Sequence, residues 1–309
     1  MVDHSCFDLG YFRSLPKSDL HNHGLLGGKR SQLEKFLGRK MKPFRMEKDG
    51  IASLNRWIRT EIRPFFDIPG AFEKAVSAAF RQAKKDGVTL LEMSIDVSFP
   101  SAIGLTAQQV SEVLGFCHTT IAPGIDFRPE VGFPRYQDTG FLMRCFESFI
   151  LTGYFVSIDL YDDEEAQPPE NFREIYRVAR AAGLKCKAHA GEFGSAESVR
   201  ETAMVLELDA IQHGIAAVAS PEVMKWLAEA RIPLNICPTS NIRMKRVRHY
   251  RSHPVRTLFD HGVIVTINTD DVTVFGDGVS EQYLKLLRAK VFSPVELEII
   301  RNYGLMAVS

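Results

Sequence analysis

Short apolar segments recur along the chain, separated by longer segments in which apolar residues fall at helical spacing. Residues 88–95 (VTLLEMSI) and 263–268 (VIVTIN) are rich in apolar and β-branched residues, which is typical of strands buried on both faces of a parallel sheet. Including the opening segment 17–23, the pattern predicts eight strands; the others are 126–133, 154–160, 185–189, 210–213 and 233–237.

Helices are predicted between these strands and after the last one. The segment 71–86 ends at Gly87 and the segment 169–182 ends at Gly183; glycine is the commonest residue just beyond a helix C-terminus. The remaining predicted helices are 31–37, 50–62, 106–118, 139–150, 195–206, 221–230, 254–260, 281–291 and 294–305.

The alternation of strands and helices predicts the fold class. Strands separated by helices pair in parallel and connect by right-handed crossovers. Eight such units favour an α/β fold, a single (β/α)8 TIM barrel, over an open doubly wound sheet. No G-x-G-x-x-G motif follows the first strand to indicate a dinucleotide-binding fold. No linker divides the chain, so we expect one domain over residues 1–309, with a helical insertion after strand 1 and extra C-terminal helices.

The insertion, residues 29–82, carries Leu54, Trp57 and Ile58 on one face of a predicted helix. In the favoured interpretation this face packs on the core. In the alternative it lines a pocket as a lid, because excursions of this length after a strand are often functional.

The composition is that of a water-soluble globular protein, with 45% hydrophobic and 25% charged residues among 309. Lysine plus arginine and aspartate plus glutamate number 38 each, which argues against nucleic acid or a membrane surface as the partner. No long apolar run or N-terminal signal pattern is present. The five cysteines are scattered and form no C-x-x-C pair. We therefore expect a cytoplasmic protein without a disulfide scaffold, in which Cys237 is a packed small residue rather than a nucleophile.

Polar residues suited to catalysis cluster where the predicted strands end. In a TIM barrel the carboxyl ends of the strands form the active-site face, so these side chains are expected to meet. Strand 1 ends in His21-Asn22-His23, and its two histidines point the same way because strand side chains alternate. The other strand ends carry Asp159-Leu160-Tyr161-Asp162-Asp163-Glu164, His189-Ala190-Gly191-Glu192, His213-Gly214, Cys237-Pro238-Thr239-Ser240-Asn241 and Asn268-Thr269-Asp270-Asp271.

Three of these histidines and one carboxylate make a nitrogen- and oxygen-rich ligand set: His21, His23, His189 and Asp270. Such a set suits catalytic zinc, which keeps a position for water and lowers the pKa of that water to about 7. His213 is then a candidate either to accept the proton of the water or to stabilise the hydroxide. Glu192 is a candidate acid toward the substrate, and Asp271 is a candidate to orient the water or to hold a substrate nitrogen.

The motifs that end strands 1, 5, 6, 7 and 8 resemble those of the adenosine and adenine deaminase family, which are zinc barrels of the amidohydrolase superfamily. The similarity extends from about Leu15 to the end of the chain. The resemblance implies one zinc ion per chain, bound by the four ligands named above. It also implies that Glu192 donates a proton to the purine and that His213 serves the attacking water. By the same resemblance, the residues expected to contact the substrate are His23, Asp162 and Asp271.

The sequence departs from the family pattern where the substrate is recognised rather than where it reacts. Adenosine deaminases commonly follow the second metal histidine with Leu-Asp-Gly, whose aspartate reaches the ribose, whereas this chain has Leu25 and no carboxylate there. After strand 4 they commonly have Ala-Gly-Asp-Glu, in which the glycine N–H meets the purine, and here Asp162 stands at the position of the glycine. Val272 replaces the usual proline after the aspartate pair.

The activity implied by the resemblance is hydrolytic deamination at purine C6, converting adenosine to inosine with release of ammonia. Free adenine, or a modified adenosine such as methylthioadenosine, is the alternative substrate. A nucleoside-binding barrel without catalysis is an alternative of another class. The cytidine-deaminase class of zinc enzymes is not indicated, because its H-x-E and P-C-x-x-C ligand pattern is absent. A small-molecule purine is therefore the expected partner.

Overall fold

Eight parallel strands run in sequence order in the computed structural model, which describes residues 7–48 and 50–306. Each strand pairs in parallel with the next one along the chain. Beyond the first and last strands, Asn22 bridges Asp270, whose N–H donates to the carbonyl of His21 at 2.8 Å. The predicted TIM barrel is therefore confirmed as a nearly closed barrel. The strands are β1 (Lys17–Asp19), β2 (Val88–Asp96), β3 (Asp126–Pro134), β4 (Ser157–Tyr161), β5 (Lys185–Ala190), β6 (Ala210–His213), β7 (Leu234–Ile236) and β8 (Val265–Ile267).

Helices separate the strands and close the chain, as the alternation predicted. Those before β5 are α1 (Leu9–Ser14), α2 (Arg30–Leu37), α3 (Ile51–Trp57), α4 (Ala71–Lys85), α5 (Phe99–Ala102), α6 (Ala107–Ile121), α7 (Thr139–Ile150) and α8 (Arg173–Ala181). Those after β5 are α9 (Ala196–Leu206), α10 (Pro221–Ala230), α11 (Pro238–Arg243), α12 (Val255–Asp260), α13 (Val272–Phe275), α14 (Val279–Arg288) and α15 (Pro294–Met306). A π-helical turn, Ile58–Ile62, continues α3, and 3-10 turns occur at Arg63–Phe65, Pro169–Phe172, Ile215–Ala219 and Tyr250–Ser252.

Two predicted strands differ from the observed ones by three residues or more at one end. Strand β4 begins at Ser157 rather than at residue 154, and the ring of Phe155, which precedes the strand, packs 5.0 Å from that of Phe149. Strand β1 ends at Asp19, and the two histidines lie just past it. His23 is held there by a single bridge to Ser94 on β2, so the segment stays extended without forming a continuous ladder.

Helices α5, α11 and α13 were not predicted, although each follows the carboxyl end of a strand. Each is four to six residues long, which is too short for a 3.6-residue apolar period to appear in the sequence. Because they follow β2, β7 and β8, they shape the rim of the face where the chemistry is expected.

The insertion after β1 builds a second apolar cluster on top of the barrel. Leu54 and Trp57 are buried in it together with Phe44 and with Phe275 from α13. The indole N–H of Trp57 donates to the carbonyl of Lys42 at 2.8 Å, so the ring satisfies its one polar atom inside the cluster. The prediction that this helix face packs on a core is therefore confirmed for Leu54 and Trp57.

A charged cluster lies inside the barrel. Lys187 on β5 is almost fully buried, and its ammonium contacts Glu130 on β3 and, at 2.6 Å, Glu92 on β2. Ser157 Oγ donates to Glu130 Oε2 at 2.9 Å. Burial alone lowers the pKa of Lys187, but the two carboxylates outweigh it and raise that pKa above its ordinary value, so the lysine stays charged.

The cysteines at positions 117, 145, 186 and 237 are free thiols, and Cys6 lies outside the described residues. Cys237 is fully buried, and burial raises the pKa of its thiol, as expected of a packed residue rather than a nucleophile. Across residues 7–48 and 50–306, no helix combines the length and the apolar character needed to cross a bilayer.

Candidate active site

Three histidines meet at the carboxyl ends of β1 and β5. His21, His23 and His189 each offer a ring nitrogen, and these nitrogens lie within 4.8 Å of one another. The other ring nitrogens of the first two are held from behind: His21 Nδ1 lies 3.3 Å from the carbonyl of Asn235, and His23 Nδ1 lies 3.0 Å from Ser94 Oγ. Such partners fix the ring orientation and leave Nε2 directed into the site.

Asp270 joins this cluster from the end of β8. Its Oδ1 lies 3.5 Å from His23 Nε2. Its backbone is in the left-handed region with φ +63°, where an aspartate is strained, and the N–H bond to the carbonyl of His21 helps to hold it there. The strained backbone therefore sets the direction in which the carboxylate points.

The cluster fits a metal ion. The Nε2 atom of His21 is buried and has no hydrogen-bond partner among the described residues, which is costly unless a ligand occupies the space beside it. Burial lowers the pKa values of His21 and His23, so both rings are neutral and their lone pairs are available to a metal. Three imidazoles and a carboxylate form a donor set that zinc accepts.

Asp159 on β4 lies against the cluster, and sequence reasoning gave it no role. One of its oxygens is 3.1 Å from His189 Nε2. Burial lowers the pKa of His189, but the nearby charge of Asp159 outweighs it and raises that pKa to about 9. The available signal was a carboxylate in the middle of an otherwise apolar strand, which only the barrel geometry connects to a histidine of the next strand.

Glu192, His213 and Asp271 surround the histidine cluster. Glu192 Oε2 lies 3.4 Å from His213 Nε2. Burial and then the charge of Asp270 raise the pKa of Glu192 to about 8, so this carboxyl holds a proton at neutral pH and can donate it. Asp271 Oδ1 is buried without a hydrogen-bond partner in the described part of the chain, and burial raises the pKa of this carboxyl.

The loop that carries Glu192 is held by Glu164, another residue that sequence reasoning left without a role. Glu164 Oε2 accepts the N–H of Gly191 at 2.6 Å, and Oε1 accepts those of Glu192 and Phe193, each at 2.8 Å. Three consecutive backbone N–H groups thus donate hydrogen bonds to one buried carboxylate. This loop and the loop after β4 lie 27 to 29 residues apart, and no local pattern predicts the contact.

A cavity of about 520 Å³ opens above these groups. Residues of the insertion, including Leu54 and Ile58, form one wall, so this helix face also lines a pocket as the lid alternative proposed. Leu25 lines the cavity where the family commonly has a carboxylate. Asp162 lines it too, with φ +80° as a glycine would have, and its Oδ1 accepts a hydrogen bond from Asn55 on α3 at 2.9 Å.

The structure brings the residues singled out from the sequence to one end of the barrel. All of them but one line the cavity: His23, Asp162, His189, Glu192, His213, Asp270 and Asp271. His21 lies within the histidine cluster at the floor. The ring centroids of His21 and His213 are 4.6 Å apart, so the histidine that ends β6 lies against the one that follows β1.

The chain is similar in sequence to known deaminases over most of its length. The sequence model described as adenosine deaminase matches residues 16–307. A putative adenosine/adenine deaminase of Treponema pallidum is 30% identical over 292 residues, covering 94% of this chain and 98% of the relative. An adenine deaminase of Rhodopseudomonas palustris is 30% identical over 307 residues, covering 94% of this chain and 89% of the relative.

Among solved structures, an amidohydrolase from Burkholderia ambifaria with bound Zn superposes with a TM-score of 0.83 at 22% identity, covering 99% of this chain and 89% of that one. At this identity the superposition supports the fold, and it agrees with the barrel described above. The family assignment rests on sequence. The family model matches nearly the whole chain, and two relatives are 30% identical over 94% of it. The chain belongs to the adenosine/adenine deaminase family of the amidohydrolase superfamily, hydrolases that deaminate adenosine- and adenine-type purines.

Proposed function

We propose that this chain is a zinc-dependent adenosine deaminase that converts adenosine to inosine and ammonia. One observation carries the proposal: Glu192, a buried carboxyl whose pKa is raised to about 8 by burial and the charge of Asp270, stands beside a cluster of side chains able to bind a metal at the floor of a cavity. This pairing supplies an acid for the purine ring and a site for the attacking water. Side chains that only stabilised the fold would not need an acid and a metal-binding cluster to lie side by side.

The residues that would hold zinc are His21, His23, His189 and Asp270. Zinc bound there would polarise a water molecule and lower its pKa to about 7, which supplies the nucleophile. The buried, unpartnered Nε2 atom of His21 supports this ligand set. The Burkholderia amidohydrolase with bound Zn, which has the same fold, supports the choice of metal.

The remaining polar residues have tasks on the purine and on the water. Glu192 donates its proton to purine N1, which withdraws electrons from C6 and prepares it for attack. His213 lies beside the attacking oxygen and stabilises its charge or takes its proton. Asp271 directs a buried, unpartnered oxygen into the cavity and orients the water or holds a purine nitrogen. His23 and Asp162 complete the proposed contacts with the substrate.

Recognition of a sugar is proposed to fall to Asp162, because the other carboxylates that line the described cavity are engaged. Asp96 uses Oδ1 to accept the N–H groups of Ser98 and Phe99 and Oδ2 to accept the hydroxyl of Tyr161. Glu192, Asp270 and Asp271 belong to the reaction centre. Asp162 has one oxygen bonded to Asn55 and a second that can accept ribose hydroxyls.

The test is ammonia release by the metal-replete protein from adenosine, adenine and methylthioadenosine, each assayed under identical conditions. We expect adenosine to have the highest kcat/KM. Preference for adenine, which the name of the Rhodopseudomonas relative suggests as the second candidate, would contradict the nucleoside assignment but keep the reaction. Absence of turnover on all three by protein with about one zinc per chain would contradict the enzyme assignment.

The role of Asp162 has its own test. Asp162→Asn is expected to lower kcat/KM for adenosine about tenfold or more, because a hydrogen bond to a charged acceptor is lost. Turnover of adenine, which has no sugar, is expected to change much less. An equal loss on both substrates would show that Asp162 acts on the purine or on the fold rather than on the sugar.

A further inference from the structure

A chain of hydrogen bonds leads from the backbone of α12 toward the reaction centre and begins at His253. The N–H of Val255 donates to His253 Nδ1 at 3.1 Å. A backbone N–H can only donate, so Nδ1 is the unprotonated nitrogen of this ring. His253 is buried, and burial lowers its pKa to about 3, so the ring is neutral. Its single proton therefore lies on Nε2.

The proton on His253 Nε2 orients the amide of Asn241. The two groups meet at 3.3 Å, His253 Nε2 to Asn241 Oδ1. Because the ring nitrogen donates, the amide must present its oxygen to it, and the amide nitrogen then points the other way. Asn241 Nδ2 lies 3.1 Å from His213 Nδ1 and donates to it. The backbone N–H of Val255 thus fixes the orientation of the Asn241 amide through His253.

His213 is the end of this chain. Its Nδ1 accepts from Asn241, so the proton of the neutral ring lies on Nε2. That nitrogen is 3.4 Å from Glu192 Oε2 and 3.8 Å from Asp270 Oδ2. It is buried and has no hydrogen-bond partner in the described part of the molecule. A proton donor is therefore directed, without a partner, at the place where the attacking oxygen is proposed to lie.

We propose that His253 and Asn241 are positioning residues that hold His213 as its Nε2–H tautomer, so that His213 donates a hydrogen bond to the attacking oxygen and does not accept its proton. The inference rests on the proposed function for the identity of that oxygen. Of the two roles open to His213, it selects stabilisation of developing negative charge. A fixed donor directed at such charge accelerates a reaction because it needs no reorganisation when the charge forms.

The experiment observes the tautomer directly. The zinc-loaded protein is labelled with 15N in its histidine side chains, and long-range 1H–15N NMR correlations report which ring nitrogen carries the proton. Signals of His213 are identified by their loss in His213→Gln. We expect the wild-type ring to be protonated at Nε2 and unprotonated at Nδ1. A wild-type His213 protonated at Nδ1 alone overturns the proposal, whatever the activity of the protein.

Two variants at position 253 separate positioning from packing. His253→Phe keeps a ring but removes the donor, so the amide of Asn241 is free to turn and His213 is expected to populate the Nδ1–H tautomer. We expect kcat for adenosine to fall about 10²-fold or more, as when a single oxyanion donor is lost, with little change in KM. His253→Gln places an N–H group near the former Nε2, and we expect it to restore the wild-type tautomer and most of kcat.

The outcomes are distinct from those that test the proposed function. If His253→Phe keeps both the wild-type tautomer and the wild-type kcat, the positioning role is refuted. If that variant does not fold, the wild-type spectrum and His253→Gln still decide the tautomer. If the wild-type protein releases no ammonia from any purine tested, the proposed function fails, while the NMR measurement still reports whether the hydrogen-bond chain is formed.

Discussion

Replacing Glu164 by glutamine tests whether the buried carboxylate after β4 holds the acid Glu192 in place. Glutamine has nearly the same shape, but it loses the charge and has one acceptor oxygen instead of two. The amide oxygen can still accept the N–H groups of Glu192 and Phe193, which now meet Oε1 at 2.8 Å. The amide NH2 then faces the N–H of Gly191, which donates to Oε2 at 2.6 Å in the native chain.

The magnitude follows from that lost contact. A hydrogen bond to a charged group contributes about 1.5–3 kcal/mol, and the variant loses at least one. If the loss appears entirely in the placement of Glu192, kcat falls by about 10- to 150-fold. A second effect is electrostatic. The charge of Glu164 is one of the causes, after burial and Asp270, that raise the pKa of Glu192. Its removal lowers that pKa, so the acid loses its proton at a lower pH.

The assay is the pH dependence of kcat and kcat/KM for adenosine, measured on zinc-loaded protein. Because the acid must be protonated to act, kcat/KM is expected to decline as pH rises through its pKa, and this decline should begin at a lower pH in Glu164→Gln. Glu165→Gln is the control. It makes the same chemical change at the next residue, whose carboxylate is exposed at the surface. Unchanged kcat and an unchanged alkaline limb in Glu164→Gln would refute the reasoning.

Four further predictions concern the charged interior, the metal site and the acid Glu192. Lys187→Met should lower the free energy of unfolding by about 3–5 kcal/mol, measured by urea titration, because it leaves the buried Glu130 and the partly buried Glu92 without their cation. His189→Ala should lower both the zinc content and the turnover, measured by metal analysis and ammonia release, because it removes a ligand. Glu192→Gln should keep the zinc and lose most of its turnover. The raised pKa of Glu192, about 8, means that the folded metal-free chain keeps a proton the unfolded chain has lost. Its stability therefore falls as pH rises toward 8, and Glu192→Gln should make this decline smaller.

The predictions on Lys187, on His189 and on the turnover of Glu192→Gln each have a matched control or a contradicting result. Lys185→Met changes an exposed lysine of the same strand, whose ammonium is 3.7 Å from Asp209, and should alter stability by well under 1 kcal/mol. A loss no larger for Lys187→Met would show that the interior charges are not coupled. A fully metallated, active His189→Ala would show that the ligand set is wrong. Near-normal turnover of Glu192→Gln would remove that residue from the chemistry.

The elements that could be predicted from the sequence are those whose pattern is local. Apolar β-branched runs gave the positions of the strands, and the helices at 139–150 and 221–230 begin and end where their apolar period predicts. Because the strands of a barrel place their carboxyl ends on one face, that order also indicated that histidines of β1, β5 and β6 would meet. The candidate ligands could therefore be predicted from the sequence.

The contacts that hold the site could not be predicted in this way, because they join segments far apart in the sequence. Glu164 and the loop at 191–193 come from successive strand ends, and their hydrogen bonds depend on how two loops fold over the barrel rim. His253 reaches His213 only through Asn241, which lies on a six-residue helix that the apolar period does not reveal. Neither connection leaves a periodic or compositional signal.

Backbone strain is concentrated at the same strand ends. Asp162, His213 and Asp270 all have positive φ, between +63° and +80°, a conformation that costs a non-glycine residue on the order of 1–3 kcal/mol. Four other residues with positive φ, Glu207, Arg231, Lys245 and Lys290, lie just past the ends of helices, where a left-handed residue commonly ends the turn. The three strand-end residues end no helix, and their side chains line the cavity. The strain is retained because each turn delivers a polar group to the cavity, so the residues that destabilise the fold locally are the ones the chemistry requires.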